Sequence, residues 1–285
     1  MSSTSAANLI TSLNAATPSF SPKLRTIAKM ATENTERFIR NSSREICAEL
    51  GVSEPTLIRF CQHFGHSGLS DFRIDLALSL AYQPRQADFI EPLPRDRRKV
   101  NTAAKQSIAR KAAELVLGDA SLLIDNGSTA ELFAAALGDR SPLSVMTTGL
   151  VVAQNVLAHG RHQVMVTGGT IRPEALALTG RLVEASLKNM RFDTFVMSAD
   201  SVGAAAGLST YREEEAHDNR AMIASAARVI VLADHMKFSK PALHRICSFD
   251  DVAILVTDLP ADASDLDLIR EKGVEVHLAA VPHAS

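Results

Sequence analysis

The spacing of hydrophobic positions changes near residue 120 of this chain. From about Pro22 to residue 82, apolar residues recur every three to four positions, which is the spacing of one face of a helix. Beyond residue 120 they form short continuous runs separated by segments with helical spacing. Short runs that are apolar throughout are typical of strands buried on both faces. The pattern therefore predicts a helical first part and a second part that alternates strands with helices.

The first part begins with two predicted helices. Apolar residues with helical spacing run from Pro22 until Asn41 interrupts them, and they are Leu24, Ile27, Ala28, Ala31, Phe38 and Ile39. Ser42 and Glu45 then have the spacing of a capping box, in which each side chain bonds to the backbone N–H of the other residue. This second helix is short and ends at Gly51.

A third helix is predicted between Ser53 and Gly65. Ser53 is a good N-cap, Pro55 is tolerated only in a first turn, and Gly65 can close the helix in a left-handed conformation. Two short helices joined at a glycine predict a helix-turn-helix, whose second helix reads the major groove of DNA. The same polar face can also be ordinary solvated surface. The candidate contacts on this face and at its entry are Ser53, Glu54, Thr56, Arg59, Gln62 and His63.

Over about residues 20–82 the chain resembles the N-terminal DNA-binding domain of RpiR-type regulators. The resemblance runs through SREICAELGVSEPTLIRFCQHFGHSGLSDFRIDLALSL and includes GVSEPT, RFC and the glycine pair before DFR. It implies contacts with double-stranded operator DNA at the start of the second helix and on the third, from Ser43, Arg44, Ser53, Thr56 and Arg59. A guanidinium can bond a guanine or hold a phosphate, and the sequence leaves both roles open.

Seven apolar runs predict the strands of the second part. They are LLID (122–125), SVMTT (144–148), QVMVT (163–167), DTFVMS (193–198), VIVLAD (229–234), VAILVT (252–257) and VEVHLA (274–279). Helical segments such as LVVAQNVLAHG and EEEAHDNRAMIASAA lie between them. We therefore expect an α/β domain, with a mostly parallel sheet flanked by helices, preceded by a small all-α helix-turn-helix domain.

One stretch of the second part, SLLIDNGSTAELFAAAL at 121–137, joins a strand to a helix through a polar turn. Backbone N–H groups of residues 126–129 would lie at the positive end of the helix that begins near Ala130, an arrangement that holds an anion. Gly127 permits positive φ and a close ligand approach, while the two hydroxyl residues after it can cap the helix or bond phosphate oxygens. A plain connecting turn uses the same residue types, so this stretch alone leaves both interpretations open.

Polar residues and glycines also follow the other predicted strands directly. Ligands of open α/β sheets bind beyond the carboxyl ends of the strands. The residues at these ends are Asp125, Thr147, Thr148, Gly149, Gly168, Gly169, Asp200, Asp234, Lys237 and Asp258. The sequence therefore predicts a ligand site at this edge of the sheet.

About residues 105–280 resemble the C-terminal sensor domain of DeoR-type regulators, which is related to sugar-phosphate isomerases and CoA transferases. The motifs that carry the resemblance are IDNGSTA, VMTTGL, VTGGTIRPEALALTG, DTFVMSAD, AAGLST, VLADHMKF and VTD. The resemblance implies a phosphorylated sugar or related effector, bound by Asp125, Asn126, Gly127, Ser128, Thr129, Thr147, Thr148, Gly149, Gly168, Gly169, Thr170, Arg172 and Lys237. Two motifs depart from the family, because TTG replaces a Thr-Asn pair and MSAD stands where a Gly is usual. RpiR-type DNA-binding domains also normally precede a different sugar-phosphate fold.

Several of these side chains admit a second interpretation. Lys237 and Arg172 can meet an anionic group or can be ordinary surface cations. His217 and Asp218 lie in the acidic segment EEEAHDNR, for which we expect a solvated helix face. Asp125 with Asp200 could serve as acid and base on a bound sugar phosphate, as in an isomerase-like enzyme with an accessory DNA-binding domain. The motifs match binding proteins better, so we expect a regulator without enzymatic activity.

Charge and composition complete the domain prediction. Residues 83–110 carry 7 Lys or Arg against 3 Asp or Glu, whereas residues 111–285 carry 15 against 22. Residues 82–99 contain three prolines and mixed charges, which is typical of a semi-rigid linker. The predicted organisation is a flexible arm (1–19), the helix-turn-helix domain (20–82), a linker (83–104) and the sensor domain (105–285).

The remaining features narrow the class of protein. The three cysteines form no CxxC pair, and no His or Cys cluster has metal-ligand spacing, so we expect reduced thiols, no metal and no cofactor. No apolar run has the length of a membrane span, and the N-terminus lacks a signal-peptide pattern, so a cytoplasmic location is expected. As a DNA-binding regulator the chain is expected to be a homo-oligomer, either a dimer or a tetramer.

Overall fold

The computed structural model describes residues 9–81, 93–138, 140–238 and 241–280, and the chain divides into two compact units, Met1–Val100 and Asn101–Ser285. The first unit is helical. Its helices are α1 (Leu9–Ala16), α2 (Pro22–Glu33), α3 (Thr35–Arg40), α4 (Ser43–Leu50), α5 (Glu54–His63), α6 (Leu69–Ala81) and α7 (Pro94–Arg97). The expectation of a small all-α domain in front of an α/β domain is confirmed.

Phenylalanine rings fill the core of the first unit. Phe60 lies at the centre, 5.5 Å from Phe72 and 5.9 Å from Phe20 between ring centroids. The predicted capping box is present, because the Ser42 N–H donates to Glu45 Oε2 over 2.6 Å and the Glu45 N–H donates to Ser42 Oγ over 3.2 Å. These contacts fix the start of α4 and therefore the position of α5 after the short turn that follows it.

The structure differs from the prediction at both ends of this unit. Residues 9–19 are not a flexible arm, because α1 and a 3₁₀ turn (Thr17–Ser19) form there, and Leu9 and Leu13 are buried in the helical core. The predicted linker is partly folded as well. Its residues 93–100 belong to the first unit and include α7, whereas 83–92 lie outside the described residues. Contacts with distant residues cause both differences, and local spacing does not reveal them. Leu9 and Leu13 make apolar contacts in the core, whereas Asp96 is held by Ser70 and Arg73.

The second unit contains a seven-stranded parallel sheet. Its order is β12-β11-β9-β6-β1-β2-β3. The strands are β1 (Ser121–Ile124), β2 (Ser144–Thr147), β3 (Gln163–Val166), β6 (Phe192–Ser198), β9 (Ala226–Ala233), β11 (Ile254–Thr257) and β12 (Glu275–Leu278). Each of the seven apolar runs identified in the sequence forms one of these strands.

Helices cover both faces of this sheet. They are α8 (Thr102–Leu115), α9 (Ser128–Ala135), α10 (Leu150–Leu157), α11 (Arg181–Leu187), α12 (Glu213–Ala224) and α13 (Ser264–Glu271). Alternate residues of one strand enter different cores: Leu123 packs with the cluster that contains Phe195, and Leu122 with the one that contains Phe133. Burial on both faces explains why the inner strands of the sheet are almost entirely apolar.

The strand order reverses at β1. The chain proceeds from β1 through β2 to β3 on one side, and later from β6 outwards on the other. The carboxyl end of β1 is therefore the switch point of the strand order, the position where ligands of open α/β sheets bind. Asp125 follows β1 directly, and Ser198 ends β6.

Two small antiparallel sheets complete the second unit. One is the hairpin of β4 (Thr170–Arg172) and β5 (Ala177–Thr179), and the other joins β7 (Ser201–Gly203), β8 (Gly207–Thr210) and β10 (His244–Cys247). The sequence did not predict them, because their short strands mix polar and apolar residues and form no continuous apolar run. In the described part of the chain, no helix combines the length and hydropathy needed to cross a bilayer.

Candidate functional site

A cavity lies beside the carboxyl ends of β1 and β2, between the β4–β5 hairpin and α12. The residues that line it are Asp125, Asn126, Thr148, Arg172, Ala177, Leu178, Thr179, Glu215, Asp218, Asn219 and Met222. Its volume is about 10 Å³, enough for about one water molecule. The site is therefore nearly filled by its own side chains in this structure.

Asp125 is a buried acid in the lining of the cavity. Its side chain accepts hydrogen bonds from Asn126 Nδ2 (3.1 Å) and from the N–H and hydroxyl of Ser198 (both 3.3 Å). Burial and, after it, the negative charge of Glu215 raise the pKa of Asp125 to about 8, against the effect of these hydrogen bonds. At neutral pH this carboxyl group holds a proton and can donate a hydrogen bond of its own.

Helix α12 contributes a polar face to the cavity. Residues 215, 218, 219 and 222 fall three and four positions apart, so they share one side of the helix. Asp218, only 6% exposed, accepts hydrogen bonds from Thr179 Oγ1 (2.5 Å) and Gly180 N (3.3 Å), and burial raises its pKa. This carboxylate fastens the end of the hairpin to α12.

Asn219 is the most unusual group of this face. It is 2% exposed, and its Oδ1 has no hydrogen-bond partner among the residues that the structure describes. Buried polar atoms in native proteins are almost always paired, and an unpaired one needs an explanation. A ligand that enters the cavity with a hydroxyl or amine group would satisfy this oxygen.

Arg172 of the hairpin crosses the cavity to Glu215. Both terminal nitrogens of the guanidinium lie 3.4 Å from Glu215 Oε2, and the two side chains are 10% and 16% exposed. An ion pair with little contact to water is stronger than one at the surface, because the local dielectric is lower. This pair occupies space that a larger ligand would need.

Backbone contacts hold the hairpin over the site. Leu178 N donates to Thr148 O over 2.8 Å, and Leu150 N donates to Leu176 O over 2.9 Å. Gly169 has φ +136°, and a Cβ there would lie 2.7 Å from the carbonyl oxygen of Thr179. A glycine is therefore required where the hairpin closes.

The loop before α9 connects β1 to the helix, and its predicted role in binding an anion stays a prediction. Gly127 is the N-cap, with φ +123°, and a Cβ there would lie 2.7 Å from Ser198 Oγ. The first N–H groups of α9 have no acceptor within the helix, so they can bind an anion. Ser128 is half-buried in this turn, whereas Thr129 is buried.

The structure brings four predicted residues together in the cavity: Asp125, Asn126, Thr148 and Arg172. Others shape its surroundings. Thr147 Oγ1 accepts from Gly149 N over 2.9 Å, and Gly168 and Gly169 lead into Thr170 at the start of the hairpin. Asp200 accepts from Thr210 Oγ1 over 2.8 Å, and Lys237 lies half-buried in the 3₁₀ turn after β9. Neither belongs to the cavity lining, so their binding roles stay predictions.

Sequence reasoning missed the contribution of α12. Asp218 was expected on a solvated face, and this was wrong, whereas His217 is exposed as expected. The signal was present in the spacing, because Glu215, Asp218 and Asn219 share a face with Met222. A polar face that includes a large apolar residue indicates burial. No group of three or more His, Cys, Asp or Glu side chains in the described ranges has the geometry of a metal site.

The first unit presents a second candidate surface on α5. Its apolar side, Leu57, Phe60 and Cys61, is buried in the core. The opposite side is solvent-facing and carries most of the predicted DNA contacts: exposed Ser53, Glu54, Arg59, Gln62 and His63, and half-buried Thr56. Ser53 Oγ lies 2.8 Å from Thr56 Oγ1, which orders the entry of the helix.

The start of α4 continues this surface. Ser43 is the first residue of α4 and is half-buried, and Arg44 after it is exposed. The ring of His63 contacts Phe20 edge-on, with 5.2 Å between centroids, so this side chain is held in place while part of it faces solvent. A helix that reads the major groove needs one side packed on the core and a polar side that faces solvent.

Comparison with known proteins finds a family match for each part of the chain. Residues 100–259 match the DeoR C terminal sensor domain, and residues 7–83 match the helix-turn-helix domain of the rpiR family. A protein of Escherichia coli O157:H7 that is named an aga operon transcriptional repressor is 33% identical over 189 residues, which cover 66% of this chain and 70% of that protein. The glycerol-3-phosphate regulon repressor of Escherichia coli strain K12 is 27% identical over 183 residues, covering 64% of this chain and 73% of that protein.

Among solved structures, ribose 5-phosphate isomerase A from Methanocaldococcus jannaschii aligns with 49% of this chain and 56% of its own. The sequence identity is 18% and the TM-score is 0.37, a likeness too distant to add to the argument. The sensor-domain match, in contrast, covers more than half of the sequence. The chain therefore belongs to the DeoR family of transcriptional regulators, with an RpiR-type helix-turn-helix domain in front of its sensor domain.

Proposed function

We propose that the chain is a DNA-binding repressor of a carbohydrate operon whose operator affinity is controlled by a phosphorylated sugar or a related effector. The cavity at the switch point of the sheet carries this proposal, because it is lined by buried polar groups and leaves the Asn219 oxygen unpaired in the described structure. Relatives that are named as repressors support the role in transcription.

The polar groups divide into two sets that suit the two ends of a sugar phosphate. The loop at 126–129 and the guanidinium of Arg172 supply N–H donors and positive charge for the phosphate. Asp218, Asn219 and protonated Asp125 supply acceptors and a donor for hydroxyl groups.

A sugar phosphate is much larger than the present cavity, so the Arg172–Glu215 pair must separate when it binds. The phosphate then replaces Glu215 as the partner of Arg172. Movement of the hairpin that carries Arg172 is the event by which we expect ligand binding to change the state of the sensor domain. A ligand shifts such an equilibrium only by its differential affinity for the two states, typically about 1 to 3 kcal/mol.

DNA binding is assigned to α5 and the start of α4. A two-fold homodimer would present two copies of α5 about 34 Å apart, one turn of DNA. We propose a dimer or tetramer for this reason. Operator fragments with inverted repeats should be retained by the purified protein in a gel-shift assay, and failure to retain any of them would contradict this assignment.

A thermal-shift screen tests the effector. At a concentration 100-fold above Kd, a ligand that binds the folded state should raise the melting temperature by roughly 5 to 10 °C. Phosphorylated aldoses and ketoses should give this shift, and their non-phosphorylated counterparts should not. Asn219→Ala should reduce the shift, whereas His217→Ala, on the exposed side of the same helix, should preserve it. Equal shifts with and without the phosphate would contradict the proposal.

An isomerase-like enzyme is the second candidate, because one observation favours it. The pKa of Asp125, raised to about 8, suits a group that exchanges protons near neutral pH. Incubation with the same sugar phosphates separates the two functions. We expect binding without product, and turnover that depends on Asp125 would establish the enzyme instead.

A further inference from the structure

A second and larger cavity lies within the first unit. Its volume is about 280 Å³, and it opens between the start of α4, the start of α5, the start of α6 and the turn that contains α7. Ser43, Glu54 and Ile58 line it from the helix-turn-helix, and Arg95 and Lys99 line it from the turn. Two predicted DNA-contact residues, Ser43 and Glu54, are therefore next to cations that the helix-turn-helix itself does not contain.

The turn is strongly basic. Residues 95–99, Arg-Asp-Arg-Arg-Lys, are called the basic turn here, and they account for much of the positive charge counted over residues 83–110. Arg95 and Lys99 are exposed, and the acid between them is buried. In an ordinary solvated run of charges the acidic residue would be exposed like its neighbours. Its burial here indicates that the turn is held at a defined position on the first unit.

Asp96 anchors the basic turn to the helical core. It accepts from Ser70 Oγ over 2.8 Å and lies 3.6 Å from Arg73 Nη1, with both side chains only 3% exposed. Arg73 also donates to the carbonyl oxygens of Phe38 and Asn41. The turn is thereby held beside the end of α3 and the start of α4.

Arg95 strengthens the same attachment. Its guanidinium donates to the carbonyl oxygen of Arg40 over 2.8 Å and to that of Asn41 over 3.2 Å. The charges of Asp96 and Arg73 cancel. Among the other residues that line the cavity, Arg95 and Lys99 carry two positive charges against the one negative charge of Glu54. Lys99 is tethered through its N–H to Asp96 O over 3.1 Å, while its side chain is exposed.

We propose that the basic turn contacts the DNA backbone and that Lys99 binds a phosphate beside the start of α4. DNA that places α5 in its major groove has its phosphates along the edge of that groove, and Ser43 and Lys99 line the same cavity beside α5. This contact extends the DNA-binding surface beyond residues 7–83, which match the helix-turn-helix family. The inference rests on the proposed function, because it assumes that α5 binds DNA.

A phosphate contact has a distinct signature in its dependence on salt. Each one contributes about 0.9 to the slope of log affinity against log salt concentration, whatever the base sequence. The experiment uses the full-length protein and a labelled mixed-sequence duplex of about 30 base pairs, with affinity measured by fluorescence anisotropy between about 50 and 200 mM NaCl. Lys99→Gln should make the slope shallower by about 0.9, so its loss of affinity should be about 3.5-fold larger at the lower salt concentration.

Two variants control for the change of charge. Lys29→Gln removes the same charge from an exposed position on α2 that does not line the cavity, and should leave the slope near that of the wild type. Lys99→Arg keeps the charge and should restore the slope. If Lys99→Gln behaves like Lys29→Gln, the proposed contact is wrong. Arg59→Ala distinguishes this contact from the proposed role of α5. Weaker DNA binding by Arg59→Ala would support the role of α5 even if Lys99→Gln showed that the Lys99 contact is wrong.

Discussion

Helices α5 and α12 have similar length and similarly polar sequences, yet they use their polar sides in opposite ways. The polar side of α5 faces solvent, with Arg59 and Gln62 exposed. The corresponding residues of α12, Asp218 and Asn219, are buried against the hairpin and the end of the sheet. One helix suits a large partner that arrives from outside, and the other suits a small ligand enclosed by the protein.

The difference is one of free energy. An exposed polar side chain stays hydrated until DNA replaces the water, so its exposure does not reduce the stability of the free protein. A buried carboxylate or amide has already lost its water and destabilises the fold unless it is paired. The pairs that Asp218 makes with the hairpin are therefore informative in a way that the exposed face of α5 is not. The same holds for the Asn219 oxygen, which has no partner in the described part of the chain. Four changes would test this contrast.

The largest effect is expected from pH acting on the buried acid in the lining of the cavity. Burial raises the pKa of Asp125 from 3.8 to about 8. The folded state therefore keeps a proton that the unfolded chain releases, so its stabilising contribution is complete below pH 3.8 and is lost as the pH rises to about 8. A shift of this size corresponds to about 6 kcal/mol.

Asn in place of Asp125 carries no charge at any pH. Urea unfolding of the wild type should show lower stability at pH 8 than at pH 5, and Asp125→Asn should remove most of that difference. An unchanged pH dependence in the variant would show that Asp125 is ionised in the folded protein.

Gly127→Val should come next in size. The φ of +123° is unfavourable for any side chain, and the first added carbon would lie 2.7 Å from Ser198 Oγ. We expect a loss of about 3 kcal/mol in the free energy of unfolding, together with loss of the ligand-dependent thermal shift. Binding of a duplex through α5 should persist. Normal effector affinity in this variant would remove the loop before α9 from the site.

Asp218→Ala compares the two helices directly. The change leaves the hydroxyl of Thr179 and the N–H of Gly180 without their acceptor, which should destabilise the protein by about 2 kcal/mol. Gln62→Ala removes a polar group from the exposed side of α5 and should change stability by less than about 0.5 kcal/mol. Chemical denaturation of both variants measures the contrast. Equal effects would mean that burial does not distinguish the two helices.

Arg59→Ala should give the smallest effect, and only on DNA binding. Loss of one base or phosphate contact should weaken operator affinity roughly tenfold. The melting temperature and the effector-induced shift should stay at their wild-type values, because Arg59 is exposed. Lys29→Ala provides a control for lost charge in the same unit. An unchanged gel-shift midpoint for Arg59→Ala would contradict the assignment of α5 as the reading helix.

Much of the fold followed from spacing alone. The seven strands of the parallel sheet and the capping box at Ser42 were predicted because each depends on residues close together in the chain. Four of the eleven residues that line the cavity followed as well, since Asp125, Asn126, Thr148 and Arg172 lie in motifs with recognisable chemistry. The other seven did not, because α12 and β5 reach the cavity only through packing between distant segments.

The sequence by itself therefore determined the elements, their order and the chemistry of the turns at the strand ends. Tertiary structure alone decided which polar residues lose their water. Asp218 is a buried acceptor rather than a surface charge because of Thr179, 39 positions earlier. Asp96 anchors its turn because it pairs with Arg73. Burial is a property of all the segments that surround a side chain, so no local pattern specifies it.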